Sequence, residues 1–376
     1  MIYLDYSATT PVNKEVLDSF NKTCLNFLGN PNSLHKLGVE TNELIKSATN
    51  QISKILKLED QEIIYTSGAS ESNNLVIKGV GLKYQNRGKH IITTDFEHSS
   101  IYGPLSYLQS LGFEIDIAKT DEFGRVDLVE LEKMIKDDTI LVSIASVNSE
   151  IGIIQPVEEI AKLLKKYPKC YFHVDMTQSI TKIDINLQDI DFISFSAHKF
   201  FGLKGIGILI KNNKVRIEPL IHGGKSTTIY RSGTPAAPLI ASTAKALRLS
   251  YENINDKQKY VKKLNNKLKK FFNKYENIKI NSTDYSSPYI LNISVLGIKP
   301  ETFMHALETK DIYISTQTAC SSNSSSSRAV LALTKDENRA NSSLRISLSY
   351  LTTIEELEIF MKEFETIYKQ LSTLRR

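Results

Sequence analysis

Asp191-Phe192-Ile193-Ser194-Phe195-Ser196-Ala197-His198-Lys199 carries a hydrophobic run straight into a lysine. The run reads as a buried strand, and the lysine as its exit. Lysine is seldom buried without a role, because desolvating its ammonium is costly and lowers its pKa toward the range where the free amine is a nucleophile. Such a lysine can form a Schiff base. Upstream, Tyr171-Phe172-His173-Val174-Asp175 is a second apolar strand that ends in a carboxylate, with Met176-Thr177-Gln178 behind it. An acid and an amine thus stand at the ends of two strands.

The same pattern extends outward. From about residue 60, short β-branched runs alternate with longer amphipathic ones: Glu62–Thr66, a helix from Ser70, His90–Thr94, a helix from Ser99, and Phe113–Ile117. It continues through a helix from Asp127, Ile140–Ala145, a helix from Pro156, Tyr171–Val174, Asp191–Phe195 and Gly207–Ile210. This alternation predicts an α/β fold with a mainly parallel, helix-covered sheet that binds ligands at the carboxyl ends of its strands. After about Pro235 a long helical stretch begins. Beyond it come Ile278–Ile280, Tyr289–Val295, a helix from Pro300, Leu344–Leu348 and a helix over Thr353–Leu374, which predict a smaller α+β domain. The expected division is residues 15–250 for the large domain, with 1–14 and 251–376 forming the small one.

An amine for an aldehyde and a carboxylate to keep a pyridine nitrogen protonated are what pyridoxal phosphate (PLP) requires. Thr66-Ser67-Gly68-Ala69-Ser70-Glu71-Ser72 adds a third part: it follows a strand and opens a helix, so free N–H groups and hydroxyls would meet an anion at the positive helix end. That makes a phosphate cup. No Gly-x-Gly-x-x-Gly occupies a first strand-helix turn to suggest a dinucleotide instead.

Composition narrows the class. The 376 residues are 24% charged and 41% hydrophobic, ordinary values for a globular protein, and no apolar run approaches the roughly 18 residues of a membrane span. Met1-Ile2-Tyr3-Leu4-Asp5 enters a strand-like segment with no basic and apolar leader, so a cytoplasmic protein is expected. The net charge of +5 is concentrated between Lys257 and Lys274, where Val261, Leu264, Leu268 and Phe271 recur at helical spacing. A solvated helix face is the reading, with no direct nucleic-acid partner. Three scattered cysteines form neither a disulfide framework nor a metal cluster, so no metal is expected. Cys24, in an amphipathic helix, and Cys170, opening a strand, read as core thiols. Cys320 differs, because it lies in a small polar segment, Ala319-Cys320-Ser321-Ser322, that reads as a loop.

With these segments in order, the chain resembles a PLP-dependent cysteine desulfurase of the class V aminotransferase group, over nearly its whole length. The matching segments include Leu4-Asp5-Tyr6-Ser7-Ala8-Thr9-Thr10-Pro11, Gly29-Asn30-Pro31-Asn32-Ser33 and the phosphate cup. Further matches are Glu97-His98, Asn148-Ser149-Glu150-Ile151-Gly152, His173-Val174-Asp175, Ser196-Ala197-His198-Lys199, Arg231-Ser232-Gly233-Thr234, Ala319-Cys320-Ser321-Ser322 and Leu344-Arg345-Ile346-Ser347. The resemblance implies the PLP-dependent transferase fold of aspartate aminotransferase type and a homodimer acting on L-cysteine. Lys199 would hold PLP and move protons, Asp175 would pair with the pyridine nitrogen, and Gln178 would bond the ring phenolic oxygen. His98 would lie over the ring face. Ala69, Ser70, Ser196 and His198 would hold the phosphate, and Thr234 would reach the phosphate of the neighbouring subunit. Arg345 would clamp the substrate carboxylate. Cys320 would attack the substrate sulfur, leaving alanine and a persulfide. An ordinary thiol, with a pKa of about 8.5, is only a few per cent thiolate at neutral pH, so activation in the site is expected. The segment from Cys320 to Arg328-Ala329-Val330-Leu331 resembles the long-loop branch of the family.

Three positions depart from the family pattern. Ser149 stands where a second asparagine usually contacts ring and substrate, Leu203 replaces a proline, and Gly224-Lys225-Ser226 replaces a more typical Gly-Gln-Glu or Gly-His-Glu. A selenocysteine or cysteine sulfinate lyase and a degenerate paralogue acting as a binding scaffold stay open as alternatives. After Arg345 the chain has only the Thr353–Leu374 helix and Arg375-Arg376, without the tail by which long housekeeping desulfurases dock an iron-sulfur scaffold. The expected sulfur acceptor is therefore a tRNA thiolation enzyme, with the iron-sulfur scaffold as the alternative.

Overall fold

The computed structural model describes residues 1–316 and 326–373. Cys320 and Leu374 lie outside the described residues. The chain begins with β1 (Ile2–Tyr3), α1 (Lys14–Asn26) and α2 (Lys36–Leu56). The strand-helix alternation follows: β2 (Gln61–Thr66), α3 (Ala69–Tyr84), β3 (His90–Thr93), α4 (Ser99–Ser110), β4 (Glu114–Ile117) and α5 (Leu128–Met134). It ends with β5 (Thr139–Ala145), α6 (Val157–Leu164), β6 (Tyr171–Asp175), β7 (Phe192–Ser196), a single tight turn over Ala197–Lys199, and β8 (Gly207–Asn212).

These strands form one seven-stranded sheet in the order β2-β8-β7-β6-β5-β3-β4. β4, β3, β5, β6 and β7 are mutually parallel, and β8 runs antiparallel to both of its neighbours, β7 and β2. Every residue of β5 and β7 is buried, as expected for strands covered on both faces. Alternate residues serve opposite cores: Ile193 and Phe195 pack with α2, α6 and α7 (Ala237–Tyr251), whereas Phe192 packs with α3 and α4. Truncating one such aliphatic side chain to alanine costs about 2–5 kcal/mol.

After β8 the helical stretch is two helices, not one. α7 ends at Tyr251 and α8 (Ile254–Phe272) starts after Asn253, whose left-handed φ of 56° interrupts the helix. Asparagine tolerates that conformation better than most residues. β9 (Ile278–Ile280), β10 (Ile290–Val295), α9 (Pro300–Glu308), β11 (Ile312–Tyr313), α10 (Arg328–Thr334), α11 (Glu337–Ala340), β12 (Ser343–Ser347) and α12 (Ile354–Thr373) complete the chain. β12-β10-β9 is an antiparallel sheet, while β1 pairs in parallel with β11, which ties the first residues to a segment some 310 positions later. A separate core joins Val261, Leu264 and Leu268 of α8 with Leu291 of β10 and Phe360 and Phe364 of α12. Lys259, Lys262, Lys263 and Lys270 of α8 are exposed, as their spacing implied, whereas Lys257 turns inward to donate to the Leu249 and Ser250 carbonyls beside the Tyr350 ring.

Cys170 is buried, and burial pushes its thiol up to about 12. Cys24 corrects the sequence reading, because it is exposed. The buried residues of α1 are Val16 and Thr23, and the position after Thr23 is turned about 100° around the helix toward solvent.

Candidate active site

Three parallel strands converge on one cleft of about 210 Å³ at their carboxyl ends: β5 delivers Ala145, β6 delivers Asp175 and β7 delivers Ser196. The turn after β7 adds His198 and Lys199 to the lining. The first turn of α3 adds Ala69 and Ser70, and the loop into α4 adds His98. Ser149, Gln178 and Arg345 also line this cleft. Sequence segments almost 280 residues apart, from Ala69 to Arg345, therefore share one site.

Each side chain is held by specific partners. Lys199 Nζ donates to the carbonyls of Ser7 at 2.6 Å and Ala8 at 2.9 Å, so the segment after β1 seats the amine. Gln178 Nε2 donates to the same Ser7 carbonyl at 2.9 Å, and Lys182 Nζ donates to Gln178 Oε1 at 3.2 Å. Burial pushes Lys182 down to about 7, with Lys199 and Arg345 adding to the effect. The Asp175 carboxylate accepts from Asn73 Nδ2 at 2.8 Å and from the Thr177 backbone N–H at 2.9 Å. His98 caps α4 through its Nδ1, which accepts the Ser100 N–H at 3.1 Å. Burial holds its pKa below the ordinary value; Asp175 opposes this and Lys199 reinforces it.

At the phosphate cup, the Ala69 N–H donates to Ser196 Oγ at 2.7 Å, so the helix start and the end of β7 meet through a hydroxyl. Gly207 makes that approach possible. A Cβ there would lie 2.5 Å from the Gly68 carbonyl carbon and 2.9 Å from the Ala69 nitrogen. His198 Nδ1 lies 3.1 Å from Thr9 Oγ1, and burial, with the charges of Lys199, Lys204 and Lys182, pushes its ring down to about 4. A neutral His198 can donate one hydrogen bond to an anion without requiring a second charge there.

Arg345, on β12, is 1% exposed. Its Nη2 donates to Asp5 Oδ1 at 2.8 Å and its Nη1 to the Ser149 carbonyl at 3.0 Å. Its Nε and the Thr177 hydroxyl are buried without a partner among the described residues, and both residues line the cleft. Buried polar atoms of this kind call for a ligand. Together with an amine, a carboxylate and a helix N-terminus, they fit PLP and an amino acid.

Thr234 is not brought to this cleft. It lines a second one with Ser67, Gly205 and Arg231, on the other side of the phosphate cup. Arg231 Nε donates to Glu71 Oε1 at 2.9 Å, which ties that second cleft to α3. Sequence reasoning missed Asn73, Thr177, Lys182 and the Ser7 carbonyl. Asn73 follows Ala69 by one helical turn and Lys182 follows Gln178 by four residues, so i to i+4 spacing was the available signal.

Comparison with known proteins gives a consistent likeness. The family described as Aminotransferase class-V matches residues 2–360. The mitochondrial cysteine desulfurase of Saccharomyces cerevisiae is 40% identical over 380 residues, covering 99% of this chain and 76% of that protein. A solved NifS-like protein superposes with a TM-score of 0.92 at 36% identity, covering 98% of this chain and all of that one. SspA, solved in complex with cysteine, superposes with a TM-score of 0.82 at 31% identity over 94% of this chain and 100% of its own.

Proposed function

The chain belongs to the class V aminotransferase family and is a PLP-dependent enzyme, and from that premise we propose that it is a cysteine desulfurase. The observation that carries the reading is the sharing of one cleft by Lys199, Asp175, His98 and Arg345. Bound PLP supplies an aldehyde for amines and an electron sink for negative charge at the substrate α-carbon.

The residues divide the remaining work. Lys199 would hold the cofactor and would carry the proton at the substrate α-carbon; the Ser7 and Ala8 carbonyls seat its amine in the cleft. Asp175 accepts the ring N–H, and Gln178, braced by Lys182, donates to the phenolic oxygen. Ser70, Ser196 and His198 would receive the phosphate beside the Ala69 N–H, which already donates to Ser196 Oγ. Arg345 would take the substrate carboxylate on a guanidinium whose Nε has no partner among the described residues. Ser149 stands beside it with a shorter reach than an amide side chain.

Cys320 is the nucleophile of this proposal. Its thiolate forms an S–S bond to the substrate sulfur as the Cβ–S bond breaks with its electron pair left on carbon; protonation at Cβ and at the α-carbon gives alanine, and the persulfide stays on Cys320. Ser315, whose backbone pairs with Arg345, precedes Cys320 by five residues. Sulfur then passes to a protein acceptor serving tRNA thiolation or iron-sulfur assembly. A reducing cytoplasmic setting suits a reactive thiol and the free Cys24 and Cys170. Among the described residues no helix is long and apolar enough to cross a membrane.

The functional unit of the proposal is a homodimer in which Thr234 completes the phosphate site of the partner subunit. The exposed Leu25, Leu28, Leu34 and Leu37 on and between α1 and α2 give it an apolar surface to bury.

The test is Cys320→Ser. The variant should bind PLP and change its visible spectrum on adding L-cysteine, yet yield no protein persulfide by mass spectrometry. Persulfide-independent release of sulfide at the wild-type rate would remove Cys320 from the mechanism.

A further inference from the structure

Asn73, on α3, does not line the cleft, yet its amide touches two routes into it. Nδ2 donates both to Asp175 Oδ2 at 2.8 Å and to Ser100 Oγ at 2.9 Å. Oδ1 accepts from the Ser194 hydroxyl. Both amide protons and the oxygen are thus engaged, and the orientation follows from charge: turned over, its oxygen would face the Asp175 carboxylate.

That fixed amide assigns the protons around it. Ser194 gives its proton to Asn73, so its oxygen receives one from His173 Nε2, 2.9 Å away. His173 Nδ1 is then an acceptor and takes the Ser143 hydroxyl proton at 2.9 Å. In the other direction, Ser100 Oγ receives from Asn73 and gives its own proton to His98 Nδ1 at 2.8 Å. The Ser100 N–H donates to the same Nδ1, so that nitrogen carries no proton. Ser143, His173, Ser194 and Asn73 are all fully buried, which makes the chain costly to leave unmade.

We propose that Asn73 is a positioning residue that sets two groups at once: it holds Asp175 as an acceptor toward the ring nitrogen and, through Ser100, holds His98 with its proton on Nε2. The proposal rests on the reading that Asp175 and His98 face bound PLP. Its consequence for the reaction is specific. His98 enters turnover as a hydrogen-bond donor at Nε2 and not as a base at that atom. Burial supports the neutral state of both rings, lowering His98 and bringing His173 down to about 4.

Nitrogen-15 NMR of the histidines in the full-length protein tests this, with His98→Gln for assignment. Wild type at neutral pH should show His98 and His173 neutral and protonated on Nε2. Protonation of His98 on Nδ1 would overturn the proposal whatever the variants do. Asn73→Asp keeps the shape but sets a second carboxylate beside Asp175 and reverses the Ser100 hydroxyl, so His98 Nδ1 should lose one of its two hydrogen bonds and its nitrogen-15 signal should move, while the proton stays on Nε2 under the Ser100 N–H. It should also lower kcat more than Asn73→Ala, for which a loss of roughly 10- to 100-fold is expected of an outer partner. An Asn73→Asp protein with an unchanged His98 signal and a milder loss than Asn73→Ala would show that Asn73 only fills space. A wild type that neither holds PLP nor releases alanine would sink the functional reading, and the histidine signals would still report on Asn73 independently.

Discussion

Glu97 is the carboxyl on which the site rests. It is buried, its Oε1 accepts the Thr94 hydroxyl at 2.7 Å, and its two oxygens accept the Ala145 N–H at 3.0 and 2.9 Å. Burial pushes it up from 4.5 to about 8 against these hydrogen bonds, with Asp175 adding to the rise. Between those pH values the folded protein holds a proton that the unfolded chain has lost, so stability falls as pH rises through the window. The slope is at most about 1.4 kcal/mol per pH unit. Urea unfolding of wild type and Glu97→Gln should therefore diverge in favour of the variant from pH 4.5 to 8; parallel curves would mean that Glu97 titrates normally. At this scale the sequence exposes strand-terminal residues well, since Asp175 and Lys199 end apolar runs. It hides Asn73, because a buried asparagine and its half-buried neighbour Asn74 are written alike on a helix whose buried positions run almost all round.

Among the elements, the decisive contact is between β8 and the start of α3. β8 opens on Gly207, which pairs with Thr66 and passes so close to Gly68 that no side chain fits. Gly207→Ala should push the N-terminus of α3 away from Ser196, weakening PLP retention and costing about 1–3 kcal/mol of stability as an overpacked site does. Equilibrium dialysis against PLP, read beside thermal unfolding, measures both; unchanged PLP affinity would show that the cup does not depend on this approach. The direction of β8 was readable in principle. Only ten residues, 197–206, connect β7 to β8, fewer than the dozen or so that a parallel crossover needs. The break between α7 and α8 was less readable, because the hydrophobic spacing resumes after Asn253 and only Glu252 and the left-handed Asn253 separate the helices. Cys24 shows the same limit, since amphipathic spacing does not say which flank of α1 turns to solvent.

For the whole molecule, two cores built from distant segments meet at the cleft: the seven-stranded sheet presents Lys199 and Asp175, and β12 brings Arg345. We propose residues 15–250 and residues 1–14 with 251–376 as the two domains, the second carrying Cys320. The proposed dimer should appear in sedimentation as a species of twice the chain mass, and a monomer that retains full activity would contradict the role given to Thr234. Pairing of β1 with β11 was beyond sequence patterning, because two-residue strands carry no period to read. The central claim is that this architecture moves sulfur from L-cysteine to Cys320. It is tested most directly by mixing the PLP-loaded protein with L-cysteine and a reductant and measuring alanine, sulfide and pyruvate together. The account requires alanine and sulfide in equal amounts, both lost in Lys199→Ala and Cys320→Ser; sulfide accompanied by pyruvate, or no alanine at all, would contradict it.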